Sequence, residues 1–247
     1  MNFIKYIDLK QSRKKFFSKN KNLIFLLKKR FYWMKKYIKN KKNIIEIGSG
    51  NCLIKNILSR KILCTDIVTL KNLSQKIDMN NFKLSAHYKK NVDVFIFNHS
   101  LHHSRNPKKL LVQISKKYLK RNGYILINEP EISLIFKLFL KICKHEKYDL
   151  NLQRVNNPNF WEENNATGRL LFYMKKINDN FQNYKIIKNQ VNECFIFLNC
   201  SGNGVDAPYV RLNDYLLKFI DKIDTIITKY MPNIFAMNRS VVLQKVR

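Results

Sequence analysis

Glycine is scarce in this chain, 6 of 247 residues, and proline scarcer still at 5. Neither clusters, so no linker, internal repeat or low-complexity tract divides the sequence, and one domain spanning 1–247 is the default. The five cysteines (Cys52, Cys64, Cys143, Cys194, Cys200) show no CxxC spacing and no disulfide framework. That argues against a structural zinc site and for a reduced, cytoplasmic setting. No window reaches the roughly 18 apolar residues that a bilayer span needs. The opening "MNFIKYIDLKQSRKKFF" lacks the apolar run and cleavage site of a secretory signal, so an integral membrane protein is not expected.

Acidic residues are few, 17 against 47 basic ones, for a net charge of +30. Such a sum suggests nucleic acid or an anionic membrane as partner. The excess is mostly lysine, however, amid many Asn and Ile, which codon drift in an AT-rich genome also produces. Residues 1–42 hold 15 basic residues and the single acid Asp8. Within them Ile24, Leu27, Phe31, Met34 and Ile38 recur at helical spacing with lysines mostly off the stripe: a basic amphipathic helix, suited to cover a sheet, roof a pocket or lie against the inner face of a membrane.

After Lys42 the pattern changes. Residues 43–48, 62–67, 92–98 and 124–129 are short, β-branched or aromatic, and separated by helix-length stretches, as parallel strands buried on both faces should be. Pro107 to Leu119 reads as a helix stopped before Asn122-Gly123, and a second helix is expected from about Cys52 to Ser59. Alternation of this kind predicts a doubly wound α/β sheet, with ligands bound beyond the carboxyl ends of its strands.

Two of the six glycines, Gly48 and Gly50, fall immediately after the first strand in "NIIEIGSGNCL". Missing β-carbons there let a ligand approach backbone, and the amides of the following helix face an anionic group. Asp66, at the end of the second strand, is placed to accept both hydroxyls of a ribose. Asp78 could accept from an adenine amino group. The absent third glycine of GxGxxG argues against a dinucleotide.

These residues resemble the class I S-adenosylmethionine-dependent methyltransferases, in particular their small-molecule branch. "EIGSGN" is similar to the family's glycine loop, "CTDI" to its ribose-binding acid, and "NHSLHHSRNPKKLLVQISKKYLKRNGYILINEP" to its fourth-to-fifth-strand run. The resemblance covers residues 43–130. It implies a seven-stranded Rossmann-like sheet with an antiparallel last strand, for which "SVVLQKV" is the candidate, and S-adenosylmethionine as cofactor. Glu46, Gly48 and Gly50 would line its methionine end, Asp66 the ribose and Asp78 the adenine, with Asn98 and Leu101 flanking it. Cys52 stands where the family usually has a third glycine, on a helix expected to tolerate a small residue. Later segments ("HEKYD", "NNPNFWEENNATGRLLF", "NCSGNG") resemble methyltransferases found among bacterial surface-glycan enzymes.

Methyl transfer of this kind is an in-line displacement, for which the protein supplies proximity and, for a hydroxyl acceptor, a base. His102, His103, Glu129, His145 and Glu146 are candidates, and His103 and Glu129 lead because strand ends face the pocket. Residues 131–180 would form a lid or acceptor-side insertion, with "ISLIFKLFLKI" a core or lid helix or a dock for a lipid-linked acceptor. Residues 181–247 would add C-terminal strands and a helix whose Leu212, Tyr215, Leu216, Phe219, Ile220 and Ile223 share one face. A small-molecule, glycan or lipid-linked acceptor is therefore expected. An N-directed nucleic-acid methyltransferase would carry (N/D)PP(Y/F) where this chain has "NHSL", and a cytosine C5 enzyme would need a Pro-Cys dipeptide, which is missing. RNA methylation, or an inert binding module that lost its chemistry at Cys52, are the alternatives.

Overall fold

The computed structural model describes residues 20–50, 52–68, 75–143, 148–151, 164–173, 182–200 and 208–246. Its centre is a seven-stranded sheet of β1 (Ile44–Ile47), β2 (Leu63–Asp66), β3 (Gln75–Lys76), β4 (Val92–Asn98), β5 (Leu119–Pro130), β6 (Tyr184–Asn192) and β7 (Asn238–Lys245). The strand order is β3-β2-β1-β4-β5-β7-β6. The pairs from β3 to β5 are parallel, and β7 runs antiparallel between β5 and β6. This is the Rossmann-like arrangement that the alternating pattern predicts. Residues 44–47 and 94–97 are buried throughout, as apolar strands covered on both faces must be.

The N-terminal helix α1 (Lys21–Tyr32) starts where Asn20 accepts a hydrogen bond from Leu23 N, 3.0 Å. A short α2 (Lys35–Ile38) follows. The buried stripe is Leu23, Leu26, Leu27, Phe31 and Met34, rotated slightly from the expected one, so that Ile24 lies at its margin. This helix is a wall of the core. Its one buried charge, Arg30, donates to both carboxylate oxygens of Glu193 at 2.7–3.0 Å.

Three expected helices differ from those observed. The one after β1 shrinks to α3 (Ile54–Ile57), because Cys52, at φ +50°, is left-handed and cannot belong to it. Next, α4 (Pro107–Lys117), capped by Asn106 with Pro107 in its first turn, stops two residues early. Asn122 (φ +59°) and Gly123 then make a turn inside the start of β5. The insertion contributes α5 (Leu134–Cys143) and α6 (Thr167–Phe172). After β6 come α7 (Phe195–Leu198), α8 (Asp214–Tyr230) and α9 (Pro232–Phe235). Helix α8 turns much of its shared apolar face outward: Leu217, Asp224 and Thr228 face inward and Ile220 packs at the core's edge, while Tyr215, Leu216 and Phe219 are exposed.

Candidate active site

The loop after β1 is tied to the end of β2 by three groups. Ser49 N donates to Thr65 O at 2.8 Å, Thr65 N donates to Ser49 Oγ at 3.1 Å, and Gly50 N donates to Asp66 Oδ2 at 2.8 Å. Gly48 and Gly50 both adopt positive φ, +68° and +47°. Their surroundings differ. A β-carbon on Gly48 would lie 2.6 Å from Ser100 Cβ, whereas one on Gly50 would meet nothing within 4 Å. Gly48 is therefore required by the close approach of the turn after β4, and Gly50 is the glycine that leaves open space beside the loop.

Beneath the loop, Glu46 is buried, and burial pushes its carboxyl up to about 8. The Cys64 thiol donates to its Oε2 at 3.7 Å. The neighbouring Cys52 thiol and burial together push Cys64 far above the ordinary thiol range. Cys52 is itself buried. Glu46 is thus held against Cys64 and Ser49 at the base of the loop. Asp78 caps a 3-10 turn by accepting from Asn80 N at 2.8 Å, two residues past a two-residue strand paired with the end of β2.

Near the end of β5, beside the turn after β4, Glu129 is fully buried and already engaged. Its Oε1 accepts from Ser100 N at 3.0 Å and Leu101 N at 2.8 Å, and its Oε2 lies 2.7 Å from His102 Nδ1. Glu129 thereby fixes the turn that presents His102 and His103, whose rings are 4.2 Å apart. Leu101 packs into the core with no exposed surface. Asn98 accepts from Asn128 Nδ2 at 3.2 Å. Helix α6 packs on this turn: a β-carbon on Gly168 would meet Glu129 Cβ at 2.9 Å, and Asn164 N donates to His102 O. Among the described residues of the expected insertion, α6 is the part that reaches this turn, and His145 and Glu146 lie outside the described residues.

His99 did not figure among the sequence candidates, yet its backbone is left-handed, φ +52°, directly after β4. A histidine held there is a strained residue at the mouth of the sheet. Its Nε2 lies 2.9 Å from Asn238 Oδ1, and Asn238 Nδ2 donates to Asn192 Oδ1 at 2.8 Å, which orients the Asn238 amide oxygen toward the ring. Nε2 therefore carries the proton. Burial, followed by the nearby positive charge of Arg30, holds the imidazole well below its ordinary value, so the ring is neutral and Nδ1 is left as a proton acceptor. No sequence signal marked it, because the strain is a property of the folded turn.

No family model and no curated protein matches the chain. Solved structures do. A SAM-dependent methyltransferase from Archaeoglobus fulgidus is 17% identical, with 89% of this chain and 93% of that one covered and a TM-score of 0.50. The plantazolicin methyltransferase BpumL, solved with S-adenosylhomocysteine, is 16% identical over 96% of this chain and 90% of its own, with a TM-score of 0.45. A phosphoethanolamine N-methyltransferase from Haemonchus contortus is 12% identical, covering 89% of this chain and 52% of that one, with a TM-score of 0.43. The fold is that of the class I S-adenosylmethionine-dependent methyltransferases.

Proposed function

We propose that the chain is an S-adenosylmethionine-dependent methyltransferase acting on a small-molecule, glycan or lipid-linked acceptor. The observation that carries this reading is the loop at Gly50, open on its outer side and hydrogen-bonded to Asp66, the acid at the end of the second strand. These residues fit the cofactor. Gly50 offers backbone that a ligand can approach, Asp66 holds its carboxylate at the strand end, each oxygen accepting from one amide and keeping a second lone pair for a ribose hydroxyl, and Asp78 stands just past the next strand for the adenine. Glu46 and Leu101 act from below by shaping the loop and the turn after β4, and Asn98 lies at the mouth between them.

When bound, the cofactor supplies an activated sulfonium methyl group. The chain's own residues hold the acceptor in line and manage its proton. For a hydroxyl acceptor the candidate bases are His103 and His99, whose neutral Nδ1 is the weaker base because burial and Arg30 lower its basicity. Glu129, consumed by two amides and His102, is a positioning residue for that turn. Of the segments behind the surface-glycan resemblance, residues 145–147, 156–163 and 201–204 lie outside the described residues, and the acceptor stays at the level of its class.

The test is calorimetric titration of the purified protein with S-adenosylmethionine and S-adenosylhomocysteine, followed by a labelled-methyl screen of glycan, lipid and RNA acceptors with wild type, His99→Ala and His103→Ala. Saturable binding of both ligands is expected. Absence of binding by the wild type ends the enzyme reading, and transfer only to RNA replaces the acceptor class.

A further inference from the structure

Helix α8 holds to the rest of the protein through Asp224 and Thr228 together with Leu217, Ile220 and Ile227. Asp224 accepts backbone hydrogen bonds from Cys194 (3.0 Å), Phe195 (2.9 Å) and Ile196 (3.2 Å), and Thr228 donates back to Asp224 O. A second set of apolar residues is left outside. At 3.6 residues per turn, Tyr215, Ile226, Phe219, Tyr230, Ile223 and Leu216 fall within an arc of about 100°. Of these Tyr215 is 79% exposed, Tyr230 72%, Ile226 57% and Phe219 53%. Lys218, Lys222 and Lys229, all exposed, run along one margin of that stripe.

A second helix repeats the pattern. On α5, Leu134, Leu138 and Ile142 recur every fourth residue and are 54%, 51% and 78% exposed, next to the exposed Lys141. Helix α9 packs against both α5 and α8, so the two stripes belong to neighbouring elements. Neither helix is long and apolar enough to cross a membrane. Exposed apolar area concentrated on adjoining helices marks an interaction surface. An apolar stripe edged by lysine is the composition of a helix lying in a lipid headgroup layer.

We propose that this face docks the protein on an anionic membrane surface, the apolar side chains of α8 and α5 entering the headgroup layer while the lysines meet acidic lipid phosphates. Charge selects this occupant over a second copy of the chain. Two copies meeting here would bring together two lysine rows on proteins that each carry +30, whereas an acidic lipid surface neutralises them. The docking is independent of methyl transfer.

The experiment is vesicle flotation with the full chain, comparing phosphatidylcholine vesicles with vesicles containing roughly 30 mol% phosphatidylglycerol. Binding at least tenfold tighter to the anionic vesicles is expected, weakening as salt rises. The paired substitution Phe219→Glu and Ile226→Glu should reduce it tenfold or more with an unchanged melting curve, since both side chains are exposed. Lys185→Gln and Lys61→Gln, elsewhere on the surface, should leave it unaltered. Equal loss in all variants, or binding untouched by the two glutamates, would show that net charge alone acts and would overturn the proposal. So would a dimer in sedimentation velocity that those glutamates dissociate, or RNA captured by this face in preference to vesicles.

Discussion

Arg30 and Glu193, 163 residues apart in sequence, meet in an ion pair with three hydrogen bonds of 2.7–3.0 Å and essentially no access to solvent. The guanidinium also lies over the Phe197 ring, 5.4 Å from its centroid, while Nη1 has no partner of its own among the described residues. Removing one partner strands the other charge in the core. Glu193→Gln should therefore cost about 3–5 kcal/mol in urea denaturation. Replacing both, Arg30→Met with Glu193→Met, should recover much of that loss, because an apolar pair leaves no uncompensated charge.

At Asp66 the expected effect is on binding more than on stability. Asp66→Ala removes a hydrogen-bond acceptor for the ribose and also frees Gly50 N, which now donates to it. S-adenosylmethionine affinity should fall by about 1.5–3 kcal/mol, roughly 10- to 150-fold, in calorimetry. A variant that binds as tightly as wild type would place the ribose elsewhere.

The two loop glycines should separate cleanly. Gly48→Ala drives a β-carbon into Ser100 Cβ and should lower the melting temperature whether or not cofactor is present. Gly50→Ala meets open space in the protein and carries only the strain of its +47° φ, about 1–2 kcal/mol. Any loss of cofactor affinity beyond that strain reports contact with the ligand. Gly50 is thus the diagnostic position, and any side chain at Gly48 would confuse folding with binding.

Glu46 makes stability depend on pH. Its folded-state value, about 8, lies above the ordinary 4.5, so the protonated form is the one the fold favours. Its contribution is complete below pH 4.5 and is lost as pH rises through 8. Urea-denaturation stability should fall across that window by a few kcal/mol, at roughly 1.4 kcal/mol for each pH unit crossed. Glu46→Gln, permanently neutral, should flatten the profile and exceed wild-type stability above pH 8. A profile identical in the two proteins would show that Glu46 is ionised in the fold.

The sheet was legible because β1 and β4 are apolar on both faces, a pattern that depends on few other contacts. The glycine loop and Asp66 were legible because strand ends leave little choice about where such residues go. Three features were not. The orientation of α8 follows from Asp224 gripping three backbone amides, a polar contact that periodicity does not register, and apolar stripes usually point inward. Arg30 was one charge among the 15 of the first 42 residues, indistinguishable from its solvated neighbours until Glu193 folded against it. Cys52 read as a small helical residue, whereas it occupies a left-handed position that glycine would fill without strain, and nothing in its own identity announced that.

The Arg30–Glu193 pair also sets a timetable for biosynthesis. The helix bearing Arg30 leaves the ribosome ahead of the whole sheet, yet its carboxylate partner is made 163 residues later, after six of the seven strands. At about 5–20 residues per second, roughly 8 to 30 seconds pass in between. During that interval the nascent helix carries an apolar face and an unmatched guanidinium, so docking it is a closing event in assembly. A chain stalled before residue 193 would display that sticky, cationic segment to whatever chaperone or nucleic acid surrounds it.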